Sequence, residues 1–338
     1  MSKLPFATQP LLEVSHLKKY YPIKGGIITH TVGHVHAVDD VSFTLNAGET
    51  LGLVGESGCG KSTVGRQIVG LEKPTGGQVI YNGQDLNGMD PAALAGVRTE
   101  LQMVFQDSFS ALNPRKHIFE ILSAPMLYHG ICNRPDADKQ VDRLLELVGL
   151  PKSAKARYPH EFSGGQRQRI GIARALSLNP KLIVCDEPVS ALDVSIQAQI
   201  LNLFCDLQEE LGLTYLFIGH GLGAVNYVSD RIAVMYLGQL VEIAPAAELF
   251  ADPVHPYAQA LCDAAPVPDP DDRSRKGILL KGEIGSAIDP PAGCRFAPRC
   301  PYACDECRTT QPILQPVAPG SDHMVACPVV LQKRKEGV

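Results

Sequence analysis

Gly55-Glu56-Ser57-Gly58-Cys59-Gly60-Lys61-Ser62 is the stretch on which the fold turns. It fits the pattern G-x-x-x-x-G-K-S/T, in which glycines let successive backbone N–H groups curl around phosphates. The segment before it, Thr50-Leu51-Gly52-Leu53-Val54, is a short apolar run of the kind a buried parallel strand needs. The segment after it predicts a helix from Lys61 to about Leu71. That helix would turn its free N–H groups and positive dipole end toward an anion. In such a loop Lys61 reaches the β- and γ-phosphates and Ser62 holds Mg²⁺, while Cys59 fills a variable place as a small residue.

Working outward, Leu182–Cys185 follows the breaker Asn179-Pro180 and predicts a second buried strand, and Thr214–Ile218 predicts a third. Between them Ile200, Leu203, Phe204 and Leu207 share one helix face that Gly212 closes. Strands alternating with helices imply a parallel sheet. Residues 34–45 are rich in β-branched residues and lead to the turn Asn46-Ala47-Gly48. Arg231–Tyr236 and Gln239–Ile243 predict a late hairpin around Leu237-Gly238. Two stretches fall outside this α/β core. Residues 107–160 read as helical, with Val141, Leu144, Leu145, Leu147 and Val148 spaced for one face. From residue 246 onward the chain is rich in proline (Pro253, Pro256, Pro266, Pro268, Pro270, Pro290, Pro291) and cysteine, and it needs a staple.

Composition narrows the functions available. With 338 residues, 45% of them hydrophobic, the chain can bury a sizeable core, and length suggests about two domains. A net charge of −5 with no basic patch, the Gln332–Lys335 tail aside, argues against nucleic acid as the main partner. No stretch approaches the roughly 20 apolar residues that span a bilayer. Met1-Ser2-Lys3-Leu4-Pro5 carries no apolar signal region. The expectation is a soluble, cytosolic chain that serves any membrane by docking on other subunits.

Asp186-Glu187 ends the Leu182–Cys185 strand, where one carboxylate can hold Mg²⁺ and its neighbour can orient an attacking water. Ser163-Gly164-Gly165-Gln166 opens another helix pattern, with Ser163 placed to cap it and the glycines leaving its N-terminus bare for a phosphate. In one monomer, two such anion-binding helix starts exceed what one triphosphate needs. Ser190-Ala191-Leu192-Asp193 follows the acidic pair, His220 follows the third strand, and Gln106 follows Met103-Val104-Phe105.

These blocks, in this order, resemble the ABC ATPase family over about residues 12–245, with the Ser163–Gln166 block as its distinguishing signature. The resemblance implies a RecA-like P-loop core with an N-terminal antiparallel β region (1–106 and 161–245), a helical subdomain (107–160) and a small Cys-rich C-terminal extension (246–338). It implies head-to-tail pairing, so that the phosphate loop of one subunit and the signature of the other clamp one ATP. Carried over, Tyr21 stacks on adenine, and Gly55 to Ser62 with Thr63 cradle the phosphates. Asp186 and Ser62 bind Mg²⁺, Gln106 senses Mg²⁺ and the attacking water, Glu187 is the general base, and His220 contacts the γ-phosphate. Asp193 links the two sites, and Ser163, Gly164, Gly165 and Gln166 serve the partner's nucleotide. The chain departs from the family at Gly219 and Gly221, which flank His220, and at Ser108.

Tyr20–Lys24, Val104–Asp107, Leu112–Arg115, His255-Pro256-Tyr257 and Pro290–Cys294 are similar to the ATPases of bacterial peptide importers, most of all the F-type subunit of dipeptide and oligopeptide permeases. That branch implies two transmembrane permease subunits, a second, homologous ATPase subunit forming a heterodimer, and an extracytoplasmic solute-binding protein. It also implies a peripheral position on the cytoplasmic face of the bacterial inner membrane. Nickel and glutathione importers share the branch, and a soluble ATPase acting on nucleic acid or the ribosome is the alternative of another class. Five of the ten cysteines crowd the C-terminal end, and four thiolates there suit zinc or an iron–sulfur cluster. The importer resemblance implies a 4Fe–4S cluster on Cys294, Cys300, Cys307 and Cys327, with zinc or free thiols as alternatives and Cys304 as the spare. A redox-sensing tail that controls the ATPase is a further reading of the same cysteines.

Overall fold

A computed structural model describes residues 9–25, 30–107, 111–264 and 285–336. Ser108, Pro266, Pro268, Pro270 and Met1–Pro5, all used above, lie outside the described residues.

The predicted parallel sheet is present. Leu101–Val104, Leu182–Asp186, Thr214–Gly219, Thr50–Val54 and Arg231–Tyr236 lie side by side, each pair parallel. The central strands are buried at every position, as a sheet covered on both faces requires. Gln239–Pro245 then returns antiparallel to Arg231–Tyr236. The turn between them has Leu237 and Gly238 both at positive φ (42° and 85°), which matches the twist of a tight hairpin. Two short strands that sequence reading missed, Met324–Val325 and Gln315–Pro316, extend this edge, so the C-terminal segment completes the main sheet.

A second, antiparallel sheet runs in the order His30–Leu45, Leu12–Gly25, Gly76–Tyr81, Gln84–Asp85. Its inner face packs Leu12, Val14, Leu17, Val38, Val41 and Leu45 against the Lys61–Ile68 helix and the phosphate-loop side of the parallel sheet. That helix ends at Ile68 and not near Leu71, because Gly70 turns into the left-handed region at φ 69°. The predicted helical stretch contains Ile118–Tyr128 and Arg134–Leu147, and it buries Val141, Leu144, Leu145 and Val148 with Leu147 at the margin.

The C-terminal extension is pinned by a buried carboxylate. Glu242, fully buried on the hairpin, accepts the backbone N–H groups of Val254 (2.9 Å) and His255 (2.6 Å), and its Oε1 lies 2.6 Å from His323 Nε2. A buried carboxylate is tolerated when its lone pairs are met by several donors, as here. Tyr236 meets Tyr257 and Phe296 edge to face at centroid distances of 4.7 and 5.2 Å, and Tyr257 meets Phe296 at a tilt at 5.6 Å, joining the extension to the main core.

Candidate nucleotide site

The phosphate loop lies between the Thr50–Val54 strand and the Lys61–Ile68 helix, as its sequence required. Gly60 sits at φ 108°, and a Cβ there would come within 2.0 Å of the Ala37 carbonyl. Only glycine fits that approach. Lys61 is buried and its Nζ donates to the carbonyls of Gly55 (2.8 Å) and Glu56 (3.0 Å), so the ammonium is held inside the curl of the loop. Cys59 is buried beside it, and burial raises its thiol pKa.

One hydrogen bond ties the loop to the acidic pair. Ser62 Oγ donates to Asp186 Oδ1 at 2.7 Å. Burial raises the Asp186 carboxyl pKa, against the opposing pull of the Ser62 hydroxyl and the positive charges of Arg66 and Lys61. A hydroxyl and a partly desolvated carboxylate in contact form an all-oxygen donor set, which suits a hard divalent cation such as Mg²⁺.

Glu187, the next residue, has φ 47°, a rare conformation for a residue with a long side chain. Its N–H donates to the Ile218 carbonyl at 3.0 Å and its own carbonyl accepts the Ser190 hydroxyl at 3.0 Å, so neighbours on both sides hold the turn. Backbone strain of this kind gathers where a side chain must be aimed. Here two predicted residues converge on one oxygen of the Glu187 carboxylate. Gln106 Nε2 donates to Glu187 Oε2 at 3.0 Å, and His220 Nδ1 lies 3.3 Å from the same oxygen.

The remaining predicted residues lie at the edges. Tyr21 is half exposed; its hydroxyl donates to Glu72, and Thr63 reaches the same hydroxyl from the start of the phosphate-loop helix. Burial and the Glu72 bond raise the Tyr21 pKa. Ser163 caps the Gly164–Leu176 helix, and its bonds close on Gln166 as a capping box (Ser163 N to Gln166 Oε1, 3.1 Å; Gln166 N to Ser163 Oγ, 3.4 Å). Gly165 is tight against Ile196, since a Cβ would meet Ile196 Cγ2 at 2.5 Å. The signature thus packs against the helix that begins just after Asp193, and both are on the surface. Asp193 is exposed and makes no side-chain cap on that helix; Val194 beside it is 82% exposed.

Sequence reading missed two residues at this site. Tyr257 Oη accepts the Glu56 N–H at 2.9 Å, and Arg299 Nη1 donates to both Glu56 carboxylate oxygens at 3.0 and 3.1 Å. His255-Pro256-Tyr257 was legible only as a likeness, because nothing in the spacing says where a phenol 201 positions away will land.

The cysteines of the extension converge only in part. Burial pushes the Cys327 thiol up to about 11, with smaller contributions from the nearby Cys300, Cys294 and Cys307. Cys294 N donates to the Cys307 carbonyl at 2.7 Å, and Cys304 and Cys307 have their sulfurs 3.5 Å apart. No disulfide joins the cysteines. Among the described residues no group of three or more His, Cys, Asp or Glu side chains reaches metal-ligating spacing. The predicted iron–sulfur and zinc ligand sets are therefore not assembled here as a closed shell, although the donor chemistry of four neighbouring thiols suits either.

Comparison with known proteins places this architecture. Residues 38–190 match the ABC transporter family model, and residues 241–307 match the C-terminal region model of oligopeptide/dipeptide transporters. The chain belongs to the ATP-binding proteins of ABC transporters. Within them it is similar to the oligopeptide transport ATP-binding protein AppF of Bacillus subtilis, at 52% identity over 94% of this chain and 97% of that one. It is also similar to OppF of Salmonella typhimurium, at 51% identity over 94% and 95%. Among solved structures, cbiO1 of Clostridium perfringens, part of an ABC transporter complex, superposes with TM-score 0.61 at 25% identity, over 72% of this chain and 91% of that one. A dimeric ATP-binding cassette in a post-hydrolysis state with ADP and Pi gives TM-score 0.61 at 27% identity, over 70% and 98%. No helix among the described residues is long and apolar enough to cross a membrane.

Proposed function

We propose that this chain binds and hydrolyses ATP to drive import of dipeptides or oligopeptides through membrane permease subunits. The observation that carries the chemistry is the Ser62–Asp186 contact at 2.7 Å, which joins the phosphate loop to the strand whose next residue, Glu187, gathers Gln106 and His220. The peptide as solute rests on the similarity to oligopeptide transport proteins along nearly the whole chain.

In this reading Lys61 exchanges the Gly55 and Glu56 carbonyls for phosphate oxygens, and loop amides line the rest of the cradle. Ser62 and Asp186 would hold Mg²⁺, which would supply charge neutralisation of the triphosphate, and Gln106, bonded to Glu187, would sense that ion and the attacking water. Glu187 accepts a proton from the attacking water, with His220 facing the γ-phosphate. Tyr21 offers a ring to adenine. Ser163, Gly164, Gly165, Gln166 and Asp193 act on the nucleotide of a second, homologous ATPase subunit; their exposure supports that role.

The assembly adds two transmembrane permeases and an extracytoplasmic solute-binding protein, so the chain lies peripherally on the cytoplasmic face of the inner membrane, with residues 107–160 taking the permease contacts. The fitting boundaries are a catalytic core of 1–106 and 161–245 with an extension of 246–338. A 4Fe–4S cluster on Cys294, Cys300, Cys307 and Cys327 is our reading of the tail, supported by the close approach of the Cys294 and Cys307 backbones (2.7 Å), with zinc as the competing occupant. Anaerobic purification from membranes tests both levels. Permease subunits should co-purify, and iron with a broad visible absorption should accompany the protein. Zinc without iron would replace the cluster, and a chain recovered with no membrane partner and no peptide-stimulated turnover would remove the import reading.

A further inference from the structure

The phosphate loop is gripped from behind by the C-terminal extension. Tyr257, at the start of the Pro256–Asp263 helix, accepts the Glu56 N–H (2.9 Å). Arg299, on the turn Ala297–Arg299, forks onto the Glu56 carboxylate (3.0 and 3.1 Å). Neither residue is placed loosely. Tyr257 is fully buried between Tyr236 and Phe296, and the Arg299 side chain is 9% exposed with its guanidinium 5.9 Å from the Tyr236 ring. The hairpin adds a third hold, since Gly238 N donates to the Cys59 carbonyl at 2.8 Å.

These contacts bear on charge as well as shape. Glu56 is the second residue of a loop built to take a triphosphate, and an unpaired carboxylate there repels that ligand. Arg299 neutralises it, and the Tyr257 hydroxyl fixes the peptide from which the curl begins. We infer that Tyr257 and Arg299 are positioning residues for ATP binding: the C-terminal extension sets the nucleotide affinity of a loop that lies about two hundred positions earlier, by orienting Glu56 and cancelling its charge. The inference deepens, and rests on, the assignment of Gly55–Ser62 to the phosphates of ATP.

The test is equilibrium binding of ATP to the full-length chain, with folding followed by circular dichroism. Tyr257→Phe keeps the ring and removes the hydroxyl, and its Kd should rise about two- to tenfold, the range one lost hydrogen bond spans. Arg299→Gln should raise Kd about tenfold, Arg299→Lys should recover part of that, and adding Glu56→Gln to Arg299→Gln should recover most of it, because the stranded charge is then gone. That recovery is not expected if Arg299 only braces the fold. Lys61→Ala serves as the control. If it weakens binding while Tyr257→Phe and Arg299→Gln, both folded, leave Kd within twofold of the parent, the positioning role is overturned and the phosphate cradle stands. If Lys61→Ala binds ATP as the parent does, the cradle assignment falls and the inference with it.

Discussion

At the scale of single residues, the proposed site consists of groups held in place by their neighbours. Lys61 was legible from its loop alone, and Asp186 and Glu187 from their place at a strand end beyond that loop. What the sequence could not show is how far the backbone is bent to serve them. Glu187 at φ 47° aims its carboxylate at Gln106 and His220, and no local pattern announces a left-handed glutamate. Glu187→Gln should keep ATP binding and lower hydrolysis at least about a hundredfold, the scale of losing one placed group in a transition state; paired binding and single-turnover assays read the two effects apart. Gly219 and Gly221 beside His220 leave its neighbouring backbone without side chains, and a Cβ at Gly219 would press on Val225 at 2.6 Å. That gives the departure at Gly219 a packing reason; nothing in the structure explains glycine at 221.

At the scale of elements, strands buried on both faces were easy to read, because continuous apolar runs such as Leu182–Cys185 have few alternatives beside a Gly-rich loop. The strands Met324–Val325 and Gln315–Pro316 were not, since two-residue pairings carry no periodicity and exist only because the hairpin offers an edge. The extension depends on buried polar anchors more than on its own core. Glu242→Gln should destabilise the chain by about 3–5 kcal/mol, because it weakens the acceptor of two N–H groups and strands His323; denaturant unfolding measures it. His255 caps its helix through Nδ1, which accepts the Tyr257 N–H at 3.1 Å, and burial pulls the ring's pKa from 6.5 down to about 3. The ring is neutral when folded and takes a proton when unfolded as pH drops below 6.5. Its contribution is therefore fully present above that value and lost as pH falls from 6.5 toward 3. Thermal unfolding should show this loss, and His255→Asn should flatten the slope.

At the scale of the whole molecule, one chain carries two glycine-opened helix starts, both proposed to meet phosphate, with separate surroundings. The phosphate loop is deep, and its lysine, serine and acidic partner touch one another. The Ser163–Gln166 block is on the surface, bonded to itself, with exposed Asp193 and Val194 at the head of the helix it packs against. An apolar residue left 82% exposed beside a polar signature fits a surface that a second subunit covers. The sequence made both blocks visible; their separation needed three dimensions, and a partner remains the simplest use for the outer one. Gly164→Asp isolates that use. A Cβ at Gly164 meets only Leu192, at 3.4 Å, and a carboxylate in the first turn of a helix is favourable in the single chain. The same charge is hostile to a phosphate docking there. The decisive measurement is ATP turnover by the assembled transporter carrying Gly164→Asp in every copy of this chain, alongside ATP binding by the isolated chain. A phosphate docked on this block from a second subunit predicts unchanged binding by the isolated chain and turnover reduced about a hundredfold or more. Normal turnover with the substitution in place would contradict it.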